Sequence, residues 1–291
     1  NYMVEINKAT NLTKLSAFLE TLNNQAKYHI GYCGQDAEEI KYTILHEFSD
    51  LDLEHSFAVA SELDTIKGAL GFDIDEEERT VEVWGPFVLE AEQYKETADA
   101  MWKHLVSKLP FEIKTFEFFV GKENFRTREY IRETGGVETG QHLILTAKKE
   151  SFCSKSTEVV EYDHSFKESF EALHTVTFPE TYYNSSEILS RLDKHNRLMV
   201  VGDGNKKIKG YVYVEAEPSF NDGTIEYIAV STEYQKQGVG TQLLQAALQY
   251  LFSYESITEI TLSVSSGNDE ALGLYKSCGF DLKSELVAYR K

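Results

Sequence analysis

The sequence predicts an α/β protein of two tandem domains, each a mixed sheet with helices against it, and three observations carry that expectation. The chain has 291 residues, long for one core and comfortable for two domains of ordinary size. Hydrophobic residues make up 42% and charged residues 26%, which allows a core in each half and is unlike a disordered chain. The third observation is a repeat. Ile66-Lys67-Gly68 recurs as Ile208-Lys209-Gly210, a shift of 142, inside the same order of elements.

Each Lys-Gly pair lies between two β-rich runs: Ser56 to Ala60 then Ala69 to Phe72, and Leu198 to Val201 then Tyr211 to Val214. A strand follows at the same shift, Val81 to Val88 and Gly223 to Val230. Helices are expected over Gln93 to Leu109 and Gln235 to Phe252; in the latter, Val239, Leu243, Ala247 and Leu251 recur at helical spacing and form one buried stripe. Next come a strand (Thr115 to Val120; Glu259 to Val264), a polar segment with Asn124 or Asn268, a short helix and a glycine. A closing strand ends each half, near Gln141 to Ala147 and Ser284 to Arg290. The strand–helix–strand crossover makes each unit a mixed α/β fold. The expected domains are residues 1–149 and 155–291.

Lys and Arg number 29 against 48 Asp and Glu, a net charge of -19, and the halves at residue 150 divide as 16 against 28 and 13 against 20. Neither half has the basic excess needed to neutralise a phosphate backbone, so no nucleic-acid partner is expected. The acidic field favours a cationic substrate, although it also serves solubility alone. Cys33, Cys153 and Cys278 are widely spaced without a Cys-x-x-Cys, which points to reduced thiols rather than a disulfide scaffold or zinc site. Asn1-Tyr2-Met3-Val4-Glu5 lacks a basic region followed by an apolar run, and no apolar stretch approaches the ~20 residues of a membrane span. A cytoplasmic protein with no membrane partner and no metal is expected.

The segment Gln235-Lys236-Gln237-Gly238-Val239-Gly240 stands between a strand and a helix start. First-turn N–H groups and the helix dipole make such a junction an anion site. Gly238 and Gly240 let a phosphate approach the backbone, and Lys236 adds a positive charge. Small residues at a helix start are equally a structural need. The chain has neither the Gly-Lys-Ser/Thr of a P-loop nor the third glycine of a dinucleotide fingerprint.

Gln235-x-x-Gly238-x-Gly240 resembles the acetyl-CoA loop of the GCN5-related N-acetyltransferase (GNAT) superfamily. The resemblance continues upstream in Tyr227-Ile228-Ala229-Val230 and downstream in Asn268-Asp269-Glu270-Ala271-Leu272-Gly273-Leu274-Tyr275-Lys276-Ser277-Cys278-Gly279-Phe280. It covers about residues 155–291 and implies two tandem GNAT folds. Such a fold has a V-shaped gap between two central strands in which acetyl-CoA lies. The resemblance further implies that Gln235, Lys236, Gln237, Gly238, Val239, Gly240 and Thr241 hold the pyrophosphate. Ile228, Ala229 and Val230 would pair with the pantetheine arm, and Asn268 would bond it. Tyr275 matches the tyrosine that protonates the departing thiolate. A phenol with pKa near 10 is protonated at pH 7 and suited to that role.

Glu226 is the candidate general base, since strand alternation places it on one face with Ile228 and Val230; it is equally a solvated strand carboxylate. Tyr182 and Tyr183 either line an amine pocket or pack beside Phe178-Pro179. His164, His174 and His195 show no ligand spacing. In the first half, Glu96 replaces Gly238, Ile131 replaces Tyr275, and Pro86 removes a backbone donor from the strand that should bond pantetheine. That half reads as an inactivated copy. The expected activity is N-acetyl transfer from acetyl-CoA to a primary amine of a small molecule or peptide, by a monomer with pseudo-dimeric halves or a homodimer. Another acyltransferase of the same fold and a non-catalytic acyl-CoA-binding protein are the alternatives.

Overall fold

A computed structural model describes residues 4–291. Asn1, Tyr2 and Met3, on which part of the leader reading rests, lie outside the described residues. The chain runs β1 (Glu5–Lys8), α1 (Leu12–Asn23), α2 (Ala37–His46), α3 (Leu53–Ser56), β2 (Phe57–Glu62), β3 (Thr65–Asp75), β4 (Thr80–Val88), α4 (Tyr94–Lys108), β5 (Thr115–Gly121), α5 (Phe125–Glu133) and β6 (Val137–Lys148). It continues with β7 (Val160–Glu161), α6 (Lys167–Thr177), α7 (Ser185–Arg191), β8 (Arg197–Gly202), β9 (Ile208–Glu217), β10 (Asp222–Val230), α8 (Val239–Phe252), β11 (Glu259–Ser265), α9 (Asp269–Ser277) and β12 (Asp281–Arg290).

Two compact units result, and they divide the chain elsewhere than at residues 149–155. The first takes in the described residues up to His142 with Ser284–Lys291, the second Leu143–Lys283. The closing strands are exchanged. In the first unit β12 pairs antiparallel with β5, Leu286 opposite Gly121 and Arg290 opposite Glu117. In the second, the part of β6 from Leu143 onward lies beside β11, with Thr146 Oγ1 3.3 Å from Thr261 Oγ1. Which sheet a closing strand joins is set by partners distant in the chain, and local pattern does not say which.

Within the first unit β1, β2, β3 and β4 form an antiparallel run, and β4 pairs parallel with β5 only over Thr80–Glu82. In the second, β7, β8, β9 and β10 form an antiparallel sheet with β10 at its edge.

The repeated glycine has one physical reason in both units. A Cβ at Gly68 would lie 2.9 Å from the Phe87 carbonyl oxygen and 3.3 Å from Met101 Cε. A Cβ at Gly210 would lie 2.7 Å from the Ala229 carbonyl oxygen and 3.0 Å from Leu243 Cδ1. Strand and helix press on the same spot in each copy, and Phe87, Ala229, Met101 and Leu243 keep the shift of 142. Val239, Leu243, Ala247 and Leu251 of α8 are all buried as their spacing requires. Each leucine contributes roughly 1.5–3 kcal/mol by leaving water.

Candidate active site

The strand–loop–helix junction of the second unit has the features of an anion site. Gly238, the residue before α8, has φ +81°, a left-handed conformation that glycine adopts without strain. No side chain caps α8 and no acid stands in its first turn, so its leading N–H groups remain open. Gly240 lies under Leu274 of α9, where an added Cβ would approach Leu274 Cδ2 to 3.2 Å.

β10 offers the second feature. It bonds β9 on one side, and its other edge faces β11 without a ladder, since the two strands approach yet belong to different sheets. An edge strand presents every other N–H and C=O outward. The gap is a cleft of about 870 Å³ whose walls include Glu226, Ile228, Ala229, Val230, Gln235 and Lys236. Gly238, Val239, Gly240, Thr241, Asn268 and Tyr275 line it too. Gln237 does not; its amide donates to the Glu233 carbonyl on the exposed side of the loop.

Two groups of candidate chemistry meet in this cleft. Tyr275 packs edge-on against Phe280, and its hydroxyl has no hydrogen-bond partner in the described chain. Burial pushes its pKa above the ordinary phenol value, which keeps the proton on oxygen. Asn268 caps α9 by accepting the Ala271 N–H at 3.2 Å. Glu226 lines the cleft with Ile228 and Val230, and the departure from simple alternation falls at Ile225. The β9–β10 register slips between Ile225 and Tyr227, so Glu226 is the extra residue of a β-bulge. Ile228 and Val230 pack with the α8 core, whereas Tyr227 and Ala229 join the core around Phe170. Burial chiefly raises the Glu226 pKa, neighbouring Glu215 raises it further, and Arg191 opposes them. Glu215 itself accepts from Arg191 at 2.7 Å and from the Tyr213 hydroxyl at 3.2 Å.

Residues 161–280 match the family described as Acetyltransferase (GNAT) family. Those residues are similar to a GNAT-family acetyltransferase domain. The chain is 31% identical over 116 residues to a spermidine N(1)-acetyltransferase of Vibrio cholerae, covering 38% of this chain and 66% of that protein's length. Among solved structures, a GCN5-related N-acetyltransferase from Sphaerobacter thermophilus matches with TM-score 0.72 at 13% identity, over 99% of this chain and 95% of the other. A tandem GNAT protein from the clavulanic acid biosynthesis pathway matches with TM-score 0.62 at 12% identity, over 99% and 98%. At these identities the likeness is one of fold, and it extends through both units. No helix among the described residues is long and apolar enough to cross a membrane.

The first unit shares the GNAT-like frame but fills the corresponding gap with its own chain. Beyond Glu82, where β4 and β5 part, the segment after α1 takes the open edge of β5. Gly31 donates to the Phe119 carbonyl at 2.6 Å, and Gly121 donates to the His29 carbonyl at 2.9 Å. Asn124, the counterpart of Asn268, also donates to the His29 carbonyl. Buried Asn23 fixes the segment by bonding Ile30, Cys33 and Gly34. Tyr94, the counterpart of Lys236, donates its hydroxyl to the Pro86 carbonyl and lies 2.8 Å from Thr127 Oγ1. Glu96 stands in the first turn of α4, and Ile131 is wholly buried in the core.

Sequence reasoning assigned no role to His174, which the structure places at the centre of a buried polar network beside the GNAT cleft. Arg191, stacked 4.5 Å over the Tyr183 ring, was likewise passed over. Neither has a local motif; both are found only by asking which groups surround Tyr183 and Glu226.

Proposed function

We propose that the chain is an acetyl-CoA-dependent N-acetyltransferase with one active site, in the second unit, acting on a primary amine of a small molecule or peptide. The observation that carries this reading is the open β10 edge running into the uncapped, left-handed start of α8. That pairing of an unpaired strand edge with a free helix N-terminus suits a ligand with an amide-bearing arm and a diphosphate. Backbone groups of Ile228, Ala229 and Val230 would hold the arm. The loop from Gln235 to Thr241 would hold the diphosphate, Gln237 contributing backbone only. Bound acetyl-CoA supplies an acetyl group activated as a thioester.

The chain's own residues have separable tasks. A backbone N–H of the Ile228–Val230 edge can donate to a developing oxyanion, already oriented before reaction. Glu226 takes a proton from the incoming amine, directly or through water, and Tyr275 gives its phenolic proton to the leaving sulfur. The carboxylates Glu215, Glu217 and Asp222 near Glu226 favour an acceptor that is itself a cation. The Vibrio relative, named for spermidine, agrees with that class.

A panel of amines and peptides screened for thiol release from acetyl-CoA tests the proposal. Cationic primary amines should respond, and silence across the panel despite tight acetyl-CoA binding would favour a non-catalytic binding protein. The pH profile adds a sign. Glu226 must be ionised to accept a proton and its pKa is raised, so kcat/KM should climb through an acid limb above the usual carboxylate range. In Glu226→Gln that limb should disappear and the rate fall by about 10²-fold or more. An unchanged profile would return Glu226 to an ordinary strand carboxylate.

A further inference from the structure

His174 is 1% exposed and uses both ring nitrogens. Nε2 lies 2.8 Å from the Tyr183 carbonyl oxygen, and Nδ1 faces the Tyr211 hydroxyl. A carbonyl only accepts, so Nε2 carries the proton and Nδ1 takes the Tyr211 hydroxyl hydrogen. Burial drives the Tyr211 pKa far above the ordinary phenol value, which leaves that phenol a donor.

A second hold comes from Tyr227, the strand residue between Glu226 and Ile228. Its hydroxyl accepts the Tyr183 N–H at 3.0 Å and shares a 2.7 Å hydrogen bond with Thr181 Oγ1. The His174 and Tyr227 rings meet edge to face with centroids 5.0 Å apart, and Phe178 packs 5.1 Å from Tyr227. The segment after α6 is thereby gripped at the C=O and N–H of Tyr183 and at Thr181. Thr177, Phe178 and Tyr227 line the GNAT cleft, and the Tyr183 ring lies close enough to feel the charges of Glu226, Glu215 and Arg191.

We infer that His174 is a positioning residue for the amine acceptor: with Tyr227 it holds Thr181–Tyr183 beside the acceptor end of the cleft, next to the lining residues Thr177 and Phe178. This rests on the acetyltransferase reading. His174 touches neither the β10 edge nor the α8 loop in any hydrogen bond, so its effect should fall on the amine and not on acetyl-CoA. A buried carbonyl and phenol left without partners would free the segment.

The test compares the full-length parent with His174→Leu, His174→Gln and Tyr227→Phe, reading the exchange rate of the Tyr183 amide and both Michaelis constants. In His174→Leu the amide should exchange at least about tenfold faster, and the KM for the amine should rise about tenfold or more while that for acetyl-CoA stays within about twofold. His174→Gln, which can still donate to the Tyr183 carbonyl, should recover most of both effects. Should His174→Leu fail to fold, Tyr227→Phe keeps the ring and removes the other hold, with the same expected split. Unaltered exchange, or altered exchange with an unmoved amine KM, overturns the positioning role. A parent that acetylates no amine overturns the proposed function first, and the two failures are thereby distinct.

Discussion

Tyr275→Phe should bind acetyl-CoA as the parent does and lose turnover by roughly 10²–10⁴-fold. The substitution keeps the ring that packs edge-on against Phe280 and removes only a hydroxyl that bonds nothing else in the described chain. Its stability should therefore be close to that of the parent. A half-buried phenol held protonated has no structural task visible here, so the expected loss isolates proton delivery to the leaving group. Steady-state turnover with the best amine of the panel, alongside calorimetric binding of acetyl-CoA, measures both halves of the expectation. Turnover within about a factor of two of the parent would leave Tyr275 as one more aromatic of the α9 face.

Gly238→Glu is the second large effect. It should weaken acetyl-CoA at least about tenfold, about 1.4 kcal/mol, by setting a carboxylate against the diphosphate at the helix N-terminus. A Cβ at Gly238 meets nothing within 4 Å, so no packing is broken; the left-handed backbone adds a strain of about 1 kcal/mol. A folded variant with unaltered affinity would remove the α8 loop from the cofactor site. Gly238→Ala serves as the control: it carries the same backbone strain without the charge and should lose much less.

What was legible in the sequence is what local pattern encodes. The stripe Val239, Leu243, Ala247 and Leu251 foretold α8 and its buried face, and the Lys-Gly repeat foretold two copies because strand and helix press on Gly68 and Gly210 alike. What was not legible depends on partners distant in the chain. The exchange of β6 and β12 is decided by which strand each one pairs with, so no residue within either announces it. The bulge is set by pairing with Tyr213 and Val214 across the sheet; it takes Ile225 out of alternation and leaves Glu226 lining the cleft with Ile228 and Val230. The first half's gap was read through Glu96, Ile131 and Pro86. The structure adds Tyr94 and His29–Gly31, whose role appears only once β4 and β5 are seen to part. His174 has no motif at all; its partners are 9 and 37 residues away.

The claim at the centre is that the halves share a frame and divide the work unequally, with acetyl-CoA held by the second unit alone. In the first, the β5 edge is already paired with His29–Gly31, and Tyr94 occupies the Pro86 carbonyl. No single substitution at Glu96 would reopen that gap. Calorimetric stoichiometry at saturating acetyl-CoA is the most direct measurement. One mole per chain is expected, abolished by Gly238→Glu and unaltered by Glu96→Gly. Two moles per chain of similar affinity, or one mole that survives Gly238→Glu, would contradict it.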